Sequence, residues 1–362
     1  MVQKRCRTAR GRYALVELWY AIAAVMLTAY VVLDGFDLGA GALHSYVARN
    51  DRQRREVLAA IGPYWDGNEV WLLATGGVLF VAFPPVLASG LSGFYFAIFL
   101  VLWSLIVRGI SIEFRSHIDH PLWRSAWDFL FNAASAVLPV LFGAALGNLI
   151  RGLPIERDGH FALALFTDFT ARPPVGILDW YTILAGVFGL LAIGGHGASF
   201  LAWKTDSEVH ARSRSAAIWL YGAVAVLWPV ATVLTRYVNP DLFAALPGRP
   251  LAWLSVVVAF AGLINVGLGL RRQRDLQAFL GSCAFLTGML AATAACIFPV
   301  MLRSFGGEGQ SLTAYNASVP VASLRIAFSW WIVGFPLAIF YFVTLFRIHR
   351  GKVVAATGRE GY

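Results

Sequence analysis

Polar positions along this chain are sparse and grouped, and the stretches between them are apolar on every face rather than along one stripe. Nine such stretches stand out, at 14–36, 66–84, 86–108, 127–150, 179–203, 215–236, 250–270, 277–302 and 322–347. A helix of about 20 apolar residues crosses a hydrocarbon core of about 30 Å, so each stretch predicts a membrane span. The runs are continuous rather than alternating, which excludes the strands of a transmembrane barrel. Pro84-Pro85 predicts the turn between the second and third spans, and Arg271-Arg272-Gln273-Arg274-Asp275 a second tight, basic turn. The longest connections are 151–178 and 303–321. No polar stretch exceeds about 30 residues, too short for a separate soluble domain. The expected organisation is a basic N-terminal extension (1–13), one polytopic membrane domain (14–350) and a C-terminal tail (351–362). No fixed-period repeat or low-complexity tract is present.

Composition agrees. Of 362 residues, 58% are hydrophobic and 14% charged, against about 45–50% and 25% in soluble domains. The net charge of +9 suits cytoplasmic loops of a membrane protein better than a nucleic-acid surface. Lys and Arg concentrate in the connections after the first, third, fifth and seventh spans and in the C-terminal tail. By the positive-inside rule this places the C-terminus in the cytoplasm and the N-terminus outside. Lys4, Arg5, Arg7, Arg10 and Arg12 run against that orientation. Either the first dozen residues reflect an upstream start or the later loops outvote them; the summed loops are preferred. No cleaved signal peptide is expected, because the first apolar segment is long and lacks a small-residue cleavage site.

Charge inside the spans is where chemistry can sit. Asp34 and Asp37, in Asp34-Gly-Phe-Asp37-Leu-Gly, are three apart and share a helical face. Asp66 and Glu69 repeat the spacing in Trp65-Asp66-Gly-Asn68-Glu69-Val-Trp71, at the start of the second span. Arg108 ends the third span, followed by Glu113 and Arg115. Four acids at bilayer depth would cost on the order of 10 kcal/mol unless protonated, hydrated or paired. One reading is a proton or cation route along carboxylates; the other is headgroup-level charge at helix ends, with Asp66 and Glu69 serving the N-terminal dipole. The second is harder to sustain for Asp34 and Asp37, because Leu38–Leu43 continues apolar. Arg108 is either a counter-ion for one of these acids or a snorkelling helix-end arginine.

Other residue types narrow the chemistry. Only His196 lies well inside a span; His44, His117, His120, His160, His210 and His349 fall in loops or at ends. A bis-histidine haem within this chain is therefore not expected; a five-coordinate haem on His196 competes with a plain hydrogen bond to a neighbouring helix. Gly35/Gly39 and Gly143/Gly147 have small-xxx-small spacing, which predicts close helix packing. Trp71, Trp103, Trp123, Trp127, Trp180 and Trp203 are read as an interfacial belt; Trp65 is set apart because it adjoins the acid pair. Of three cysteines, Cys283 and Cys296 are expected as core thiols, and Cys6 forms no CxxC pair with them.

The segments quoted above, with Ser92-Gly-Phe-Tyr95, Glu113-Phe-Arg115-Ser, Gly147-Asn148, Gly152, Phe298-Pro299 and Asn316-Ala-Ser, resemble subunit II of the cytochrome bd-type quinol oxidases, the cyanide-insensitive branch included. The resemblance keeps its spacing over about the first 155 residues and is looser beyond. It implies an all-α integral membrane protein of nine spans, as two four-helix bundles plus a peripheral helix. It implies a related subunit I that carries two b haems, one d haem and the quinol-oxidising site, so that no haem binds to this chain alone. The complex would reduce oxygen to water with quinol in the bacterial cytoplasmic membrane, in contact with lipids and the quinol pool, with room for a small accessory subunit. Asp66 and Asp37, with Asp34 and Glu69, match the acids of a proton route, and no catalytic residue is expected in this chain. Arg108 and Glu113 match positions that support the intersubunit region; Glu113 replaces the more usual Asp. Trp65 matches a position near a structural ubiquinone seen in some members. The competing classes are an ion-coupled secondary transporter, disfavoured because the acids lie in one half only, and a purely structural assembly subunit.

Overall fold

The structure is a computed structural model that describes residues 2–305 and 309–353; the side chains of residues 2–10 and 12 are not described, so the charges of the basic extension, the Cys6 thiol and most of the C-terminal tail lie outside the described part. Twelve helices dominate: α1 (Val2–Val47), α2 (Asp51–Ile61), α3 (Trp65–Ala82), α4 (Pro84–Gly93), α5 (Tyr95–Phe114), α6 (Pro121–Arg151), α7 (Trp180–Lys204), α8 (Glu208–Val238), α9 (Pro240–Ala245), α10 (Pro250–Arg271), α11 (Asp275–Ile297) and α12 (Val321–Ile348). Strands β1 (Val300–Leu302) and β2 (Leu312–Thr313) pair antiparallel.

Among the described residues, eight helices are long and apolar enough to cross a membrane: α1 from Tyr13 onward, α5, α6, α7, α8, α10, α11 and α12. The ninth expected span is α3, whose first turns carry Asp66, Asn68 and Glu69 and dilute its apolar character. The expected third span is two helices. Pro84 and Pro85 open the short α4, where missing N–H groups cost nothing, and the chain breaks again at Phe94 before α5. The expected eighth span overran its helix: α11 stops at Ile297, ahead of Phe298-Pro299, and the next residues are β1 rather than helix. Proline lacks the donor for another helical turn and disfavours helix in its predecessor.

Helices α1, α3, α5 and α6 pack as one bundle and α7, α8, α10 and α11 as another, with α1 touching members of both. The join is close because of glycine. A Cβ on Gly39 would collide with the Ile193 carbonyl and lie 2.8 Å from the Gly197 Cα, so only glycine lets α1 and α7 meet there. Gly143 meets Gly186 in the same way between α6 and α7. Helix α12 is peripheral: none of its apolar window is buried. It is held near its ends, by the Trp19 indole donating to the Leu324 carbonyl (3.2 Å) and by Lys204 donating to the His349 carbonyl (2.6 Å).

The connections converge at two opposite ends. At one, Arg212 of α8 donates to the Val47 carbonyl (2.7 Å), Arg115 pairs with Asp51 (2.8 Å) and Arg214 with Asp275 (2.7 Å). At the other, Arg303 pairs with Asp241 (2.7 Å), Arg151 with Asp179, and the Asn239 amide donates to the Ile150 carbonyl (2.7 Å). The first end gathers the connections richest in Lys and Arg.

Candidate functional site

Helix α1 runs ten residues past Asp37 without interruption. Asp34 and Asp37 are therefore mid-helix, and neither side chain has any exposure. They are not exposed helix-end charges. The Arg108 guanidinium, also wholly buried, reaches across from α5. It donates to Asp34 Oδ1 (2.8 Å) through Nη2 and to Glu69 Oε1 of α3 (2.8 Å) through Nη1, and stands 4.0 Å from Asp37 Oδ2. Arg108 is thus the counter-ion rather than a snorkelling residue. Its planar fork suits the task, because two carboxylates on different helices need two donors with different directions.

Asn68, part of the acid-bearing motif but given no role on sequence grounds, completes the cluster. It is buried, and its amide donates to Asp37 Oδ2 (2.7 Å) and to the Leu33 carbonyl (3.1 Å). An amide among apolar residues, one helical face round from two acids, was its available signal. Three acids thus share one arginine and one amide. Asp34 Oδ2, Asp37 Oδ1 and Arg108 Nε have no protein partner among the described residues, leaving polar atoms in the core that water or a proton can satisfy.

Asp66 does not join this cluster. It occupies the first turn of α3 with its side chain exposed, three residues from Glu69 and on the outer surface. Trp65 is half-buried, with its ring edge 3.3 Å from where a Cβ on Gly109 would lie. Glu113 is exposed beyond the cluster. Trp71 is no belt residue: it is buried and packs on Phe335 and Phe342 of α12, because α12 covers that face of α3.

A second charged node lies nearer the arginine-rich end. Asp128 of α6 accepts from His44 Nε2 (2.9 Å), Arg54 Nη1 (2.8 Å) and Arg115 Nε (2.6 Å), tying α1, α2, α5 and α6 together. Arg115 also bonds Asp51. Burial raises the Asp51 carboxyl, but the Arg115 hydrogen bond and the nearby guanidinium groups outweigh it and hold the group below its ordinary value. His44 is buried in the last turn of α1, at a helix end.

His196 is pinned. Its Nδ1 meets Ser282 Oγ (2.7 Å), its Nε2 meets the Val32 carbonyl (2.8 Å), and Phe279 stacks on its face at 5.2 Å. Both ring nitrogens are engaged and one face is covered, so the residues present do not fit a haem iron here. Cys296 is buried and Cys283 half-buried, both free thiols.

The fold and cluster together define a class: a polytopic helical membrane subunit whose N-terminal bundle holds a buried cluster of three carboxylates around one arginine. The chain belongs to the cytochrome bd terminal oxidase subunit II family, whose model matches residues 15–349. It is 31% identical over 352 residues to "Cytochrome bd-I ubiquinol oxidase subunit 2" of Escherichia coli (strain K12), covering 90% of this chain and 91% of that one. It is 31% identical over 313 residues to "Cytochrome bd ubiquinol oxidase subunit 2" of Bacillus subtilis (strain 168), covering 86% and 89%. In fold it is similar to a chain in the structure of bd oxidase from Geobacillus thermodenitrificans, with a TM-score of 0.71 at 19% identity, covering 93% of this chain and 99% of that one.

Proposed function

We propose that this chain serves a quinol:oxygen oxidoreductase as its second subunit, beside a related subunit I that holds the haems and the quinol site. The haems would supply the electron transfer and oxygen chemistry there; this chain's own residues bind, brace and move protons. The observation that carries the reading is the placement of Asp66 and Glu69 three residues apart on α3, one exposed and the other bonded into the Arg108 cluster. A proton captured by Asp66 has Glu69 as its neighbour one turn along the same helix, and Asp37, with one oxygen unpartnered, as the acid beyond. Arg108 stabilises the negative charge of Asp34 and Glu69 in the core, while Asp37, at 4.0 Å, is the least tightly held.

The proposed orientation puts the arginine-rich end in the cytoplasm, the C-terminus with it and the N-terminus outside; the start of α3 then opens toward the cytoplasm. A ubiquinone near Trp65 and a small accessory subunit remain part of the proposal on resemblance. The unbroken Arg108 clamp also supports a bracing role, and one experiment separates the two. Asp66→Asn keeps size and hydrogen-bonding capacity but removes the titratable group. Oxygen consumption with quinol should slow while the haems stay present and reducible, and Asp66→Glu should retain more activity than Asp66→Asn. Normal turnover and proton uptake in fully haem-loaded Asp66→Asn complex would defeat the route. Loss of haem from that variant would assign Asp66 to bracing instead.

A further inference from the structure

The turn joining α10 to α11 carries charge that the fold does not use. Arg271, Arg272 and Arg274 are exposed, and none has an ion pair or side-chain hydrogen bond among the described residues. The adjacent carboxylate, Asp275, is already taken by His210 (2.9 Å) and Arg214 (2.7 Å). The last carbonyls of α10 do not need these arginines either, since Arg214 donates to the Leu270 carbonyl. Elsewhere at the same end Arg54, Arg115 and Arg212 all find carboxylates.

Below this turn lies a groove of about 530 Å³ between α10 and α11. Its lining combines three chemistries. Arg274 is at the mouth, and Gln277 and Asn265 follow, joined by a hydrogen bond from Gln277 Nε2 to Asn265 Oδ1 (3.2 Å). Leu276, Leu280 and Ala284 line the rest, with Leu280 56% exposed. Asn265 lies six residues inside the end of α10, about 9 Å along the axis. An exposed amide at that depth is costly against hydrocarbon. Each amide of the pair uses one N–H within the protein, Asn265 on the Ala261 carbonyl, and keeps a second to donate outward.

A cationic mouth, a pair of amides and apolar side chains along one groove match the chemistries a phospholipid presents: phosphate, ester carbonyls and acyl chain. We propose that the α10–α11 turn and the groove beneath it seat one anionic phospholipid. The headgroup lies among Arg271, Arg272 and Arg274, the glycerol esters accept from Asn265 and Gln277, and one chain runs past Leu280 and Ala284. Charge complementarity selects an anionic headgroup, because three unpaired guanidinium groups attract a zwitterionic one only weakly. The site is separate from the Arg108 cluster and does not depend on the redox assignment.

The test is native mass spectrometry of the full chain, purified in detergent with whatever subunit accompanies it, delipidated and titrated with phosphatidylglycerol. The parent should retain one more lipid than Arg271→Gln/Arg272→Gln/Arg274→Gln, whose affinity should fall at least about tenfold. Leu280→Trp, which fills the groove and leaves the charge unchanged, should lose the same lipid. Phosphatidylcholine should not replace it, and inorganic phosphate should not displace it. Equal retention by the triple variant, equal retention by Leu280→Trp, equal binding of phosphatidylcholine, or displacement by phosphate alone would each overturn the proposal.

Discussion

Removing the Arg108 guanidinium tests the cluster most directly. Arg108→Gln deletes two 2.8 Å charge-assisted hydrogen bonds and leaves Asp34, with no exposure, facing no cation. Glu69 is partly relieved, since 25% of its side chain is exposed. Removing one partner of a buried ion pair costs about 3–5 kcal/mol, because the abandoned charge remains in low dielectric. A value in that range is expected, in two-probe unfolding by SDS titration in mixed micelles, following tryptophan fluorescence and any haem absorbance. Removing the orphaned charge as well should recover part of the loss. Arg108→Gln/Asp34→Asn should fall short of the sum of the two single changes by about 1.5–3 kcal/mol, the range for a hydrogen bond to a charged group. Arg108→Lys should lie between parent and Arg108→Gln, since one ammonium cannot address two carboxylates on different helices as the planar fork does. An Arg108→Gln protein within about 0.5 kcal/mol of the parent, or a strictly additive cycle, would show that the three acids do not need this cation.

Gly39→Leu should prevent α1 from meeting α7 and abolish accumulation of folded protein, whereas Gly76→Leu, where nothing lies within 4 Å, should accumulate normally; equal yields on immunoblot would contradict the close approach. Asp51, held below its ordinary value, contributes stability that is complete above about pH 4 and drains away as pH falls through its lower folded value; Asp51→Asn should flatten that acid limb of the stability profile, and an unchanged limb would assign it to other groups. A C-terminal fluorescent reporter should be bright and a periplasm-dependent phosphatase fusion at the same point inactive; the opposite pattern would invert the orientation.

The spans were legible because continuous apolar runs have one structural solution in a bilayer. The features that stayed hidden have equally physical causes. Helix α2 reads as a charged connection, yet Asn50 caps it by accepting from the Gln53 N–H (3.0 Å), and its far side buries Val57, Leu58 and Ile61. The Asp128 node joins residues 13 to 84 apart, and no local spacing announces such a meeting. Arg108 and the acids could be suspected from their cost in hydrocarbon, but which acid it chose depends on helix packing. Asp66 shows the limit most clearly: spacing pairs it with Glu69, while the turn of α3 sends one outward and the other in.

The order in which Asp34 and its cation occur along the chain bears on how the protein enters the membrane. Asp34 and Asp37 leave the ribosome first, and Arg108 follows Asp34 by 74 residues. At about 5–20 residues per second, synthesis leaves the pair without its partner for about 4–15 s. Two aspartates deep in a helix add about 5–7 kcal/mol to its insertion on the translocon scale. The first transmembrane segment therefore carries two aspartates without their cation until the segment bearing Arg108 emerges.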